Sequence, residues 1–290
     1  MRSYGLAVLA VSAAFTGVVS AQEQPSGPPK VLVITREELK PGTMGAHTKV
    51  AAAYVSVATR ANAANYRIGL TPISGDENAV LYLEAHPSFA AYETAREAFD
   101  SALKSNAALA ADLDAVEQKG DMHTAQRTMI CRYRADLSYR PGGMEDVARA
   151  RYMTMTTARI KPGRGVDYVE YLKGQIAARE KANMDSHTAV YQVVSGAAAN
   201  TYVIFSTVRS LSEWDDVSAR ADADQKAMEA ALGGPDAARQ QRMIVADVVT
   251  DSTMATYAMR PEISRPLPQF MAYDAAFWGP HPAAARKPKQ

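Results

Sequence analysis

The amino-acid sequence predicts an α+β protein made of two tandem β-α-β-β-α-β units whose sheets pack against each other. Three observations carry this reading. The chain repeats itself at an offset of 121 positions. Both copies pass through β-branched runs and helical periodicities in the same order. Strands such as Val31-Leu32-Val33-Ile34 and Val80-Leu81-Tyr82-Leu83 are apolar on both alternations, which requires cover on both faces.

At that offset Lys40-Pro41-Gly42 falls on Lys161-Pro162-Gly163, Thr35 on Thr156, Ala61-Asn62 on Ala182-Asn183, and Ser74-Gly75 on Ser195-Gly196. No gap is needed across these matches. Beyond the Ser-Gly pair a one-residue slip restores the alignment, so that Asn78 meets Asn200 and Pro87 to Glu93 meets Arg209 to Asp215. A slip at that point is what an insertion in a hairpin turn produces.

Each copy opens with a β-branched strand, Val31 to Leu39 or Arg151 to Ile160, that stops at Pro-Gly. Val50, Tyr54, Val57 and Ala61 then recur at helical steps, answered in the second copy by Val169, Leu172 and Ile176. Strands follow at Tyr66 to Ile73 and His187 to Val194, with hairpin partners at Val80 to Ala85 and Tyr202 to Val208. Ser88 and Ser210 are placed to cap a second helix, and Ser210-Leu211-Ser212-Glu213 fits a capping box. Phe89, Tyr92 and Phe99, and in the other copy Leu211, Trp214 and Val217, are expected to form the buried side of that helix. A last strand, near Thr128 to Tyr133 or Thr253 to Met259, completes the split β-α-β unit of the ferredoxin-like kind.

Around the repeat lie segments of different character. Arg2, an apolar run from Leu6 to Val19 and the small residues Val19-Ser20-Ala21 read as a signal peptide over residues 1–21. The run is too short to span a bilayer. Residues 22–29 form a Pro-rich leader, 30–144 the first unit, 145–261 the second, and 262–290 a tail rich in proline and aromatics. This tail is expected to wrap across the units or a partner chain; the alternative is a disordered tail. The implied location is periplasmic or secreted, without stable membrane insertion after processing. Of the 290 residues, 32 are Lys or Arg and 31 Asp or Glu, giving a net charge of +1. Removing the signal peptide takes away only Arg2, and a neutral chain has no footprint for nucleic-acid binding. The single cysteine, Cys131, excludes an internal disulfide and reads as a small buried hydrophobe.

In element order, in the strand-Lys-Pro-Gly-helix opening and in the repeat, residues 30 to 261 resemble the dimeric α/β-barrel superfamily, here with both units fused in one chain as an intrachain α/β barrel. Members of that superfamily include antibiotic-biosynthesis-type monooxygenases that use no cofactor, haem-degrading and haem-using enzymes, lactone isomerases and NIPSNAP-type proteins. The resemblance implies two sheets around a central cavity. Haem-degrading members carry an iron-ligating histidine on the second helix; Ser88 to Lys119 and Ser210 to Gly233 contain none, which counts against haem.

No catalytic motif stands out. His47, His86, His123, His187 and His281 show no metal-site spacing, so neither metal nor cofactor is expected. Met153 and Met155 read as core filling rather than copper ligands. The better lead is asymmetry between the copies: Tyr82, Glu84 and His86 share one alternation where the second copy has Ile204, Ser206 and Val208. Glu84 and His86 are candidates for a proton-handling or ligand-orienting pair, with Arg67, matched by Thr188, fixing an anionic group. Arg132 and Arg134 could join them, and His187 with Tyr191 could line the other half of a cavity. The plainer alternative has this alternation facing solvent or forming cross-strand ion pairs. His47, at the start of the first helix, reads as a surface or capping residue.

These residues point to an exported protein that binds a small molecule between the two units, with homo-oligomerisation possible. A cofactor-independent monooxygenase or isomerase is the second reading, and a structural or assembly role the third.

Overall fold

The computed structural model describes residues 27–62, 66–117 and 121–279, so the segment expected to be a signal peptide, most of the leader, His281 and the end of the tail lie outside the described residues. Eight strands form one closed antiparallel barrel in the order β1-β3-β2-β8-β5-β7-β6-β4. They are β1 Val31–Leu39, β2 Ile68–Pro72, β3 Ala79–His86, β4 His123–Tyr133, β5 Tyr152–Ile160, β6 Ala189–Ser195, β7 Thr201–Val208 and β8 Val249–Met259. The first half orders its strands β4-β1-β3-β2 and the second β8-β5-β7-β6. Edge strands join the halves: Leu70 to Pro72 pair with Tyr257 to Met259, and Ile130 to Tyr133 pair with Tyr191 to Ser195. With both edges paired, none of the eight described strands is left open.

The turns show why the sequence matches fall where they do. Asn62 and Asn183, just after the first helix of each half, hold φ of 48° and 47°, the left-handed helix-ending conformation that asparagine tolerates. Gly75 and Gly196 both sit at φ 93°. At Gly196 a Cβ would meet the Thr128 carbonyl oxygen at 1.9 Å, so the β4–β6 seam requires glycine there.

Helices α1 (Met44–Arg60), α2 (Phe89–Ser105) and α3 (Ala107–Glu117) cover the first half, and α5 (Gly165–Lys181), α6 (Ser212–Leu232) and α7 (Pro235–Val248) the second; α4 is Met144–Arg149. Ser88 caps α2, accepting a hydrogen bond from the Ala91 N–H at 3.1 Å. At α6 the expected box is displaced: Glu213 accepts from the Arg209 N–H, while Ser210 accepts from the Ser212 N–H. The expected burial of Phe89, Leu211, Trp214 and Val217 does not occur; all four are exposed. The reason is two further helices, α3 and α7. Val57 of α1 packs with Leu109, Leu113 and Val116 of α3, and α5 packs on both α6 and α7. Asn106, which accepts from the Leu109 N–H, opens α3, and Gly233-Gly234-Pro235 breaks α6 from α7.

The barrel interior is filled by Leu32, Ile34, Leu81, Leu83, Cys131, Met153, Met155, Tyr191, Val203, Phe205, Tyr257 and Met259. This cluster continues into Ala148 of α4 and into two tail helices, α8 (Pro268–Tyr273) and α9 (Ala275–Trp278), through Phe270 and Trp278. The described part of the tail is thus docked, with the Trp278 indole N–H donating to the Ala148 carbonyl at 2.7 Å. Among the described residues, no helix is long and apolar enough to cross a membrane.

Candidate functional site

Strand alternation decides where the candidate residues point. On β3, Leu81 and Leu83 enter the barrel, so Val80, Tyr82, Glu84 and His86 face the helices. A cavity between the sheets lined by Glu84, His86 and Arg67 is therefore not what the structure holds. Tyr82 is buried with Val80, Leu39 and Ala51 beneath α1. The Arg67 guanidinium lies between the rings of Tyr54 and Tyr82, 4.2 and 4.1 Å from their centroids. Burial drives the Tyr82 phenol well above its ordinary range, only partly opposed by Arg67.

Glu84 and His86 approach to 3.8 Å, beyond a hydrogen bond. The His86 ring instead packs at 5.0 Å on Tyr92 of α2, and its buried Nε2 has no hydrogen-bond partner. Arg132 and Arg134 both donate to Gln192 of β6, and Arg134 also pairs with Asp136. His187 precedes β6 on the surface, 2.6 Å from the Arg140 carbonyl. Tyr191 enters the barrel, packing on Tyr133 and Phe205 and donating to the Pro29 carbonyl. The fold therefore separates these candidates into an outer layer, a surface position and the barrel core, and does not converge them on one cavity.

What it does converge is a set that sequence spacing hid. Glu37 of β1, His47 in the first turn of α1 and His123 at the start of β4 offer ligand atoms within 4.8 Å of one another. Glu37 Oε2 is 2.7 Å from His47 Nε2 and 3.3 Å from His123 Nε2, and its Oε1 lies 3.4 Å from the Gln126 amide. His47 is 3% exposed, not the surface residue its position suggested, because Glu37 draws the first turn of α1 onto the sheet. Burial alone would raise the Glu37 carboxyl. The hydrogen bond with His47 and the charges of His47, His123 and Arg67 outweigh it and hold the group below the ordinary carboxylate range. No sequence signal marked this set, since its members come from three elements and lie 10 and 76 positions apart.

The second half differs at the same register. Glu37 is answered by Ala158, His47 by Tyr168, Arg67 by Thr188 and Tyr54 by Gln175. Tyr82 and Ile204 occupy matching places opposite Thr35 and Thr156, as do His123 and Val249 opposite Leu39 and Ile160. Where the first half is filled by the Arg67–tyrosine stack, the second leaves a cleft of about 620 Å³ between the sheet, α5 and α7. Its wall includes Ala158, Tyr168, Tyr171, Ile204, Arg179 and Asp251. The half-buried Arg179 guanidinium touches Thr188 Oγ1 at 3.4 Å and lies 6.0 Å from the Tyr139 ring. Among the described residues no carboxylate reaches it within ion-pair distance. Burial lowers its pKa from the usual arginine value, against the opposing influence of Tyr171 and Tyr139.

Fold and site together define a closed-barrel α/β protein with a Glu-His-His cluster under one helix layer and an arginine-bearing cleft under the other. No family model and no curated protein matches the chain. Among solved structures it is similar to an anthrone oxidase-like protein, at 15% identity over 79% of this chain and 91% of that one, with a TM-score of 0.48. It is also similar to a provisionally assigned monooxygenase from Lactobacillus acidophilus NCFM, at 9% identity over 79% and 93%, with a TM-score of 0.45. A variant of chlorite dismutase from Candidatus Nitrospira defluvii gives 7% identity over 81% and 92%, with a TM-score of 0.42.

Proposed function

We propose that this protein binds a small anionic aromatic or apolar molecule in the cleft beneath α5 and α7. The observation that carries the reading is Arg179, a half-buried guanidinium on the cleft wall that no carboxylate reaches within ion-pair distance among the described residues. Buried charges are normally paired, so an unpaired one in a ligand-sized cleft calls for an anion from outside. Tyr168 and Tyr171 supply the aromatic wall, and Thr188 and Gln175 secondary hydrogen bonds. We further infer that the chain is a tandem fusion of two ferredoxin-like units, supported by the matched turns and strand orders. Export after removal of residues 1–21 completes the reading, supported by the sequence of that segment alone.

The test uses two fluorescent probes of similar shape, anilinonaphthalene sulfonate and its uncharged analogue phenylnaphthylamine. The sulfonate is expected to bind with one-to-one stoichiometry. Arg179→Gln should weaken it by roughly tenfold or more, the worth of a charge-assisted hydrogen bond, while leaving the neutral probe nearly unchanged. Ala246→Trp, at the exposed rim, should weaken both. Equal sulfonate affinity in the parent and Arg179→Gln overturns the proposal.

A further inference from the structure

We propose that Glu37, His47 and His123 form a binding site for one divalent first-row transition-metal ion, with zinc the best match. Two imidazoles and one carboxylate are a recurrent ligand set for such ions, leaving further positions to water or substrate. Ions that demand all-oxygen surroundings, such as calcium and magnesium, do not suit it.

Three features of the structure support the site. First, the ligand atoms converge. Ligand atoms about 2.0–2.2 Å from a tetrahedral ion stand roughly 3.3 Å apart, and here all three lie within 4.8 Å of one another, with Glu37 Oε2 3.3 Å from His123 Nε2 and hydrogen-bonded at 2.7 Å to His47 Nε2. Second, the frame is rigid: Glu37 and His123 are held by the β1–β4 ladder, and His47 by the α1 turn that begins at Thr43. Gln126 occupies Oε1 of Glu37, leaving Oε2 to face both histidines. Third, access is graded. The His47 side chain is 4% exposed and that of His123 40%, so an ion can enter past His123 and keep a solvent position.

The second half supplies an internal control. At the same register it builds the same sheet and helix with Ala158, Tyr168 and Val249, none of them a metal ligand of this kind. The fold therefore does not require Glu-His-His for packing. The neighbouring positive charge, Arg67, is itself stacked between the Tyr54 and Tyr82 rings. Metal binding would replace the shared hydrogen bonding of Glu37 with coordination.

Titration of the full chain with Co2+, read by its visible d–d absorption, and with Zn2+ by calorimetry tests this. The expected result is one ion per chain with the strong absorption of a four-coordinate Co2+ centre. His123→Ala should weaken binding by more than about 100-fold, exceeding the cost of disturbing a group that merely orients a ligand. Glu37→Gln should do the same. Because His123 lies at the surface, that variant is expected to fold, and its circular dichroism checks this. His86→Ala and His187→Ala should bind as the parent does. Absence of stoichiometric binding, or binding that survives His123→Ala, overturns the proposal.

Discussion

Removing the indole of Trp278 should loosen the end of the barrel without touching any strand. The side chain is 5% exposed, packs edge-on against Phe270 and Phe277 at 5.1 and 4.8 Å, and donates to the Ala148 carbonyl at 2.7 Å. Trp278→Ala loses the buried ring, which costs about 3–5 kcal/mol at such positions. It also leaves a buried carbonyl without its donor, a penalty of about 1–3 kcal/mol when water cannot replace it. Because the tail helix can shift into part of the space, about 4 kcal/mol is the expected total, a large share of the roughly 5–15 kcal/mol by which a native protein is stable. Trp278→Phe keeps most of the volume and removes only the N–H, so it should cost about 1–2 kcal/mol. Urea unfolding followed by far-ultraviolet circular dichroism measures both, since the variants alter the fluorescence itself. A Trp278→Ala loss below about 1 kcal/mol would mean that the tail does not seal the barrel in solution, and the docking argument would fall.

Tail docking should also depend on acid. The hydrogen bond from Arg151, 2.5 Å from Asp274, is the chief reason that carboxyl stays below its ordinary value of 3.8, with the Phe277 N–H and the Arg149 charge assisting against burial. A carboxyl depressed in the folded state stabilises fully above its unfolded pKa and loses that contribution as pH falls through the folded one. The stability gap between the parent and Asp274→Asn should therefore shrink between about pH 5 and about pH 2; a gap constant across that range refutes the assignment. For Cys131, burial in the barrel core pushes the thiol up to about 12. Ellman's reagent at mild alkaline pH should label it only on unfolding, and rapid labelling of the native chain would contradict its placement.

Much of the architecture was legible because it rests on local chemistry. Pro-Gly turns, the left-handed asparagines after the first helices and the β-branched runs each act through a few neighbouring residues. The helical periodicity of Phe89, Leu211 and Trp214 was present too, but its burial was misread. An amphipathic face tells only that cover is available to it, and α3 and α7 took the places beside α1 and α5. The candidate site fared similarly. The contrast between Tyr82-Glu84-His86 and its counterpart placed polar groups on one strand alternation, while the direction of that face, away from any cavity between the sheets, followed from which alternation filled the barrel.

By itself the sequence determined the element order, the matched turns and the two-sided apolar character of strands such as Val31 to Ile34 and Val80 to Leu83, because backbone preference and strand alternation are properties of neighbours along the chain. Only the tertiary structure decided that the sheets join edge to edge into a closed barrel and that the tail seals one part of it. It alone brought Glu37, His47 and His123 together and set Arg179 in a cleft where no carboxylate among the described residues reaches ion-pair distance. Such meetings depend on strand register and on how helices lie across the sheet, and neither is encoded by spacing in the chain.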